Sequence, residues 1–345
     1  MKKIKILSID GGGIRGIIPG TILAELEEIL QKQSNSDRKI GDYFDMIAGT
    51  STGGILSCIY LMPDNDGKAK YSAKEALDLY IKNGHTIFDR TLAQKIESIG
   101  GILHEKYSED PLYQLLKSYF GDVTLDRLIR PSLITSYEIT DRRAIFFTSA
   151  DARKDNICNF YVRDVARATS AAPTYFAPAH IKSLNGQLFA LVDGGVFANN
   201  PAMCAYAEAR KLEFSKFFND QQKRDKPTAE EMIILSLGTG SVKKRYRYDD
   251  FKNAGEIKWL EPVIDILMSG NSETVAYQLM QMYRRQDTED QNHYFRLEPE
   301  LKEACSEMDI ATEDNINNLY QAGLTFVFEN KKQLEKIAAR ILEND

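Results

Sequence analysis

Gly49-Thr50-Ser51-Thr52-Gly53 spells a G-x-S-x-G pattern, a stretch whose residue types could do chemistry. A serine hydroxyl serves acyl transfer as a nucleophile when a sharp strand-to-helix turn lifts it clear of the backbone. Glycine on either side leaves the room for that turn. The pattern is short enough to arise by chance, and its surroundings give it weight. Phe44–Ala48 reads as a short apolar strand, and an apolar helical stretch follows Gly54. A helix starting there aims its free N–H groups and positive dipole end at developing negative charge.

Asp10-Gly11-Gly12-Gly13-Ile14-Arg15-Gly16 is the second such stretch, and it follows the apolar run Ile4–Ile9. Beside the reading as a plain tight turn it has two functional ones. As G-x-G-x-x-G after a first strand it resembles a dinucleotide-binding loop. The acidic residue expected about 20 residues on, closing a second strand, is missing: Glu28 falls inside a predicted helix and Asp37 in a polar loop. As consecutive glycines opening a helix it is an oxyanion hole built of backbone N–H groups. The second strand brings Ser51 rather than a ribose-binding acid, which favours the oxyanion hole.

A serine nucleophile needs a base, by default a histidine oriented by an acid. His85, His104, His180 and His293 are scattered, and none ends a predicted core strand beside a glycine turn, so each reads as structural. Asp193 does hold such a place. Phe189–Val192 delivers it as a strand, and Gly194-Gly195 turn the chain away. A carboxylate within hydrogen-bond reach of a hydroxyl can act as general base, whereas an isolated Asp-Gly is by default a turn cap.

Short apolar strands, tight glycine turns and helices recur along the chain. That is the signature of an α/β sheet covered by helices on both faces, with ligands at the carboxyl ends of the strands. Pro131–Tyr137 and Ala144–Thr148 read as paired strands, and Met232–Leu237 as a buried strand ending in Gly238-Thr239-Gly240. Ser72 and Glu75 form a capping box, and Asn200-Pro201 opens a helix. Phe217–Lys226 reads as an exposed loop, and beyond Tyr248 the chain reads as helical. With 345 residues, 43% hydrophobic and 27% charged, the chain can bury a large core. Its net charge of −6 speaks against broad nucleic-acid binding and against whole-molecule attraction to anionic membranes. Four cysteines far apart, with no C-x-x-C, fit neither a disulfide framework nor a Cys-rich zinc site, and they point to a reducing compartment. Asp10 cuts short the first apolar run, against a signal peptide, and the glycines and hydroxyls of Met46–Pro63 speak against a membrane span.

Taken in order, the Asp10–Gly16 loop, the Gly49–Gly53 turn and Asp193-Gly194-Gly195 resemble the patatin family of lipid acyl hydrolases. Ser170-Ala171-Ala172-Pro173-Thr174-Tyr175-Phe176 and Asn199-Asn200-Pro201 are similar to it as well, so the likeness runs over residues 4–240. The resemblance implies a three-layer α/β/α fold with a mostly parallel central sheet. It implies a Ser–Asp dyad without histidine, with Ser51 as nucleophile, Asp193 as its base, and Gly11, Gly12 and Gly13 as oxyanion-hole donors. Asp10, Arg15, Gly16, Gly49, Gly53, Gly194 and Gly195 are the supporting motif residues, and no metal or other cofactor is called for. On this footing residues 4–240 are expected to form the catalytic domain and residues 241–345 a helical extension packed on it.

The expected substrates are glycerolipids or phospholipids, cleaved in phospholipase A or galactolipase fashion, in a cytoplasmic protein. Membrane contact is expected to be local and transient; the basic–aromatic run Lys243–Tyr248 either touches lipid headgroups there or is a solvated loop. No nucleic-acid partner is expected, and the sequence names no regulatory one. An acyltransferase using the same pair, a regulated effector phospholipase and a silent nucleotide-binding module are the alternatives.

Overall fold

Eight strands assemble one mixed, mostly parallel sheet in the computed structural model, which describes residues 2–88, 107–241, 245–284 and 293–343. They are β1 (Ile4–Ile9), β2 (Met46–Thr50), β3 (Ser132–Glu138), β4 (Arg143–Thr148), β5 (Ala179–Lys182), β6 (Leu188–Asp193), β7 (Met232–Leu237) and β8 (Tyr294–Leu297). The order is β5-β6-β3-β2-β1-β7-β8, with β4 pairing β3. Alternation along the apolar runs decides the layering, because successive side chains leave a strand on opposite faces. Ile6, Met46, Ala48, Met232 and Ile234 enter one core; Leu7, Ile9, Ile47, Leu235 and Leu237 enter the other. A sheet buried on both faces needs helices on both, which makes three layers.

The longer helices among the described residues are α1 (Ile17–Ser34), α2 (Thr52–Tyr60), α3 (Ala73–Ile87), α4 (Asp110–Phe120), α5 (Val162–Thr169), α6 (Ala202–Ala209), α7 (Glu256–Tyr283), α8 (Glu313–Glu329) and α9 (Lys331–Leu342). Leu26 of α1, Leu56 of α2, Leu77 of α3 and Leu319 of α8 share one core; Ala205 of α6 and Leu279 of α7 share the other. The Ser72–Glu75 capping box starts α3 as the sequence indicates. α6 starts one residue later than the sequence indicates, with Pro201 rather than Asn200 at the N-cap; Asn200 Oδ1 accepts from the Ala202 N–H at 3.0 Å just ahead of it, and a helical turn, Gly195–Ala198, precedes both. No described helix is long and apolar enough to cross a membrane.

Beyond residue 240 the sequence reads as helical only, but Tyr294–Leu297 pairs in parallel with β7 and extends the sheet. Four residues with a charged one among them give too short an alternation to register as a strand. The last two helices pack on α1, burying Leu319, Leu334, Ile337 and Ile341.

The edges of β3 position the site. β4 pairs antiparallel with Leu133–Glu138 and takes one edge throughout. The other edge is divided: β2 runs parallel along Ser132–Thr135, and β6 runs antiparallel along Ser136–Glu138. Thr50 lies opposite Thr135 and Asp193 opposite Ser136, so β2 and β6 meet carboxyl end to carboxyl end. Buried hydroxyls fix the junction. The Thr50 and Thr135 hydroxyls hydrogen-bond at 2.7 Å, and Thr50 Oγ1 donates to the Ala198 carbonyl at 2.6 Å. Ser136 Oγ donates to the Val192 carbonyl at 2.7 Å. Replacing Thr135 by the near-isosteric Val removes the donor to Thr50 and leaves a buried oxygen short of a partner. Thr135→Val should lower unfolding free energy by about 1–2 kcal/mol with an unchanged denaturant slope, as measured by urea denaturation.

Candidate active site

Ser51 occupies the turn between β2 and α2 with φ 54° and ψ −123°, a backbone conformation that costs a non-glycine residue free energy. The flanking glycines are required by close approach. A Cβ on Gly49 would stand 2.2 Å from the Gly53 carbonyl oxygen, and one on Gly53 would stand 2.1 Å from that of Ile9. The Ser51 N–H donates to Thr169 Oγ1 at 2.8 Å, and its carbonyl accepts the first bond of α2 from Ile55 at 3.0 Å. Thr52 is tied down by Tyr80: their hydroxyls meet at 2.6 Å, and the Tyr80 hydroxyl also donates to the Thr52 carbonyl at 3.0 Å.

Asp193, the last residue of β6, is buried, and the Ser51 side chain stands near enough to favour its charged form. The Gly195 N–H donates to its Oδ1 at 2.7 Å, and its own N–H donates to the Ala171 carbonyl at 2.9 Å. One short stretch, Thr169–Ala171, thus holds the backbones of both Ser51 and Asp193. Burial pushes the Asp193 carboxyl up to about 7, against the nearby Ser51 hydroxyl and the Gly195 N–H, which favour its charged form. At that value it is half ionised near neutrality, a far better proton acceptor than an ordinary aspartate.

The glycine loop arches beside this pair. Gly13 has φ 59°, and a Cβ there would meet the Met308 carbonyl oxygen at 2.2 Å. That carbonyl accepts from the Ile14 N–H at 2.8 Å. Gly11 departs from the sequence expectation of three amide donors, because its N–H already donates to the Asn199 carbonyl at 3.1 Å. The amides of Gly12 and Gly13 have no acceptor among the described residues. Arg15 is buried and braces the loop, with Nε donating to the Gly12 carbonyl at 3.4 Å, and burial lowers its pKa. Gly16 passes so close to Thr52 that a Cβ would stand 2.1 Å from Oγ1. A Cβ on Gly194 would stand equally close to Thr135 Oγ1.

Asp10 turns away from the pair and into a polar network that the sequence did not indicate. Arg296 of β8 grips it in a bidentate ion pair, NH1 to Oδ1 at 2.9 Å and NH2 to Oδ2 at 2.7 Å. The same guanidinium reaches Ser236 at 2.9 Å and pairs with Glu298. Burial raises the Asp10 carboxyl to about 6 against the pull of Arg296, and its charge raises that of Arg296 in turn. Ser272 of α7 donates to Asp10 Oδ2 at 3.3 Å and accepts from Asn199 Nδ2 at 3.1 Å. Its neighbour Asn271 accepts from the Asn200 N–H at 3.2 Å and donates to the Phe197 carbonyl at 2.8 Å. A lone arginine in a four-residue strand carries no spacing signal; its burial between two carboxylates is visible only in three dimensions.

Ser51 and Asp193 open onto a cleft that is open to solvent and walled largely by apolar side chains, among them Ile55, Leu79, Leu112, Phe176 and Met268. The Ser170 hydroxyl faces it, buried and without a partner among the described residues. No described histidine lines the cleft: His85 and His180 are exposed elsewhere, and His293 contacts Lys3 and Arg340. His104 lies outside the described residues, as do Lys243 and Lys244 of the basic run. No group of three His, Cys, Asp or Glu among the described residues converges as metal ligands.

The patatin-like phospholipase family model matches residues 7–206. Patatin-like protein 2 of Oryza sativa is 33% identical, with 97% of this chain and 86% of the relative covered. Patatin-like protein 1 of Arabidopsis thaliana is 33% identical over 93% of this chain and 80% of the relative. Patatin group J-1 of Solanum tuberosum is also 33% identical, over 96% and 85%.

The Asp10–Arg296 pair generates a prediction. Removing one partner of a buried pair leaves an uncompensated charge. Arg296→Met should therefore cost about 3–5 kcal/mol of stability. Asp10→Asn combined with Arg296→Met should recover part of that loss, read as a positive coupling energy in a double-mutant cycle of chemical denaturation.

Proposed function

The chain belongs to the patatin-like phospholipase family and is a lipid ester hydrolase; we propose that it releases fatty acids from glycerolipids with Ser51 as nucleophile and Asp193 as its base. The observation that carries this reading is the placement of Ser51 beside a buried aspartate whose pKa is raised to about 7, both lining one apolar cleft at the point where β2 and β6 meet.

The chemistry follows from the placement. The Asp193 carboxylate takes the proton as Ser51 Oγ attacks the ester carbonyl carbon. Gly195 engages Oδ1, which leaves the other carboxylate oxygen for this proton. Negative charge develops on the carbonyl oxygen, and the open amides of Gly12 and Gly13 receive it; a donor of this kind contributes about 3 kcal/mol in other hydrolases. Gly11 holds the loop through Asn199 instead of donating to substrate. The tetrahedral intermediate collapses, its C–O bond breaks, and Asp193 returns the proton to the leaving alcohol. Water, deprotonated by the same carboxylate, then attacks the acyl-enzyme and frees the acid and Ser51. The apolar cleft takes the acyl chain, so hydrocarbon burial supplies much of the binding.

Lipid product profiling of wild type against Ser51→Ala should show fatty acid release lost entirely in the variant, and a fluorophosphonate probe should label only the wild type. Labelling that survives in Ser51→Ala would refute the assignment. Asp193→Asn should lower kcat by orders of magnitude, while His85→Ala, His180→Ala and His293→Ala keep substantial activity. Wild-type kcat/KM on a soluble ester should rise along an acidic limb with its midpoint near pH 7.

The same carboxyl also affects stability. Its folded pKa of about 7 exceeds its usual 3.8, so the stability it contributes is complete below the lower value and is lost as pH rises through the higher. Asp193→Asn cannot ionise and should raise Tm, by more at pH 8 than at pH 5, as measured by calorimetry.

A further inference from the structure

Along α7, Ile264, Leu267 and Met268 line the cleft that holds Ser51. Leu267 does so while 55% exposed, and Val263 and Ile266 beside it are 42% and 46% exposed. At spacings of three and four residues these form one outward stripe, and Leu267 makes that stripe continuous with the cleft wall. Val196, in the turn after Asp193, also both lines the cleft and is exposed.

Trp259 stands one turn before Val263 on the same stripe and is half-buried. Its ring meets Phe251 at 4.8 Å, Phe251 meets Tyr246 at 5.4 Å, and the Lys258 ammonium lies 5.2 Å from the Phe251 ring centre. Arg245, Arg247 and Tyr248 are exposed just before. An apolar stripe flanked by aromatic rings and cations is the composition of helices that lie in the plane of a lipid–water interface. Among the described acidic side chains here, Asp249 pairs with Lys252 and Asp265 accepts from the Tyr246 hydroxyl at 3.0 Å, while Asp250 is exposed. With cations and carboxylates both present, the attraction this face offers is apolar rather than a matter of net charge.

We propose that the N-terminal half of α7, through Val263, Ile266 and Leu267, docks on a lipid bilayer and seats the cleft mouth against it. The proposal rests on the lipid hydrolase reading. A second copy of the chain has no comparable claim to the face, because only a bilayer gives a purpose to its continuity with the acyl cleft. An acyl chain could pass from membrane to cleft along Leu267 without crossing water.

The chain has one tryptophan, so Trp259 fluorescence reports docking directly. Phosphatidylcholine vesicles should shift its emission to shorter wavelength, and the full chain should cosediment with them. Val263→Asp with Ile266→Asp should weaken vesicle affinity at least about ten-fold and leave kcat/KM on a water-soluble short-chain ester unchanged. The milder pair Val263→Ser and Ile266→Ser should lie between, with circular dichroism confirming the fold. A wild type that neither cosediments nor shifts its emission overturns the proposal, and so does an aspartate variant that binds vesicles as tightly as wild type. Dimerisation abolished by the same substitutions, in the absence of vesicle binding, overturns it in favour of a second copy as the cover. Failure of the hydrolase reading itself looks different: the wild type would not turn over even the soluble ester.

Discussion

A single strand edge carries two neighbours of opposite direction, and the arrangement of the site depends on it. β4 occupies one side of β3 completely, so β2 and β6 must divide the other. The division falls between Thr135 and Ser136, adjacent residues of one rigid strand. It brings together the carboxyl ends of two segments that lie far apart in the chain. Backbone pairing sets the separation of Ser51 and Asp193 to within the pleat of β3, which no flexible loop could do. The Thr50, Thr135 and Ser136 hydroxyls and the Thr169–Ala171 turn then remove what freedom remains.

The C-terminal residues enter this arrangement through polar contacts. Arg296 arrives on β8 and holds Asp10 at the base of the glycine loop; Ser272 links that carboxylate to Asn199, whose carbonyl holds Gly11. A buried ion pair is a poor source of stability beside apolar packing, but it tolerates only one geometry. Here it fixes the register between a loop near the start of the chain and a strand near its end. The same α7 that supplies Asn271 and Ser272 walls the cleft one turn earlier, so the acyl wall and the loop carrying Asp193 share a support.

Much of this was legible in the sequence where local chemistry decides it. The apolar alternation of β1, β2 and β7 gives the layers, and the Ser51 turn announces itself because two close backbone approaches exclude any Cβ at Gly49 and Gly53. Asp193 was legible as a strand end beside a glycine turn, but not its register opposite Ser136, which needs the pairing of distant segments. The Gly11 amide could not be assigned from three consecutive glycines, since its acceptor is a backbone carbonyl on another loop. Arg296 left no trace at all: one charged residue in a short strand looks like surface until its partner is known.

The left-handed backbone of Ser51 has an evolutionary side. Glycine would relieve that strain, so the residue that supplies the hydroxyl is also one the fold would rather not have there. Only selection for turnover opposes the change. A gene copy released from that selection would drift toward glycine at position 51 and gain a sturdier, inert protein. Homologues that keep the sheet and lose the serine are therefore an expected by-product of duplication in any lineage built on this turn.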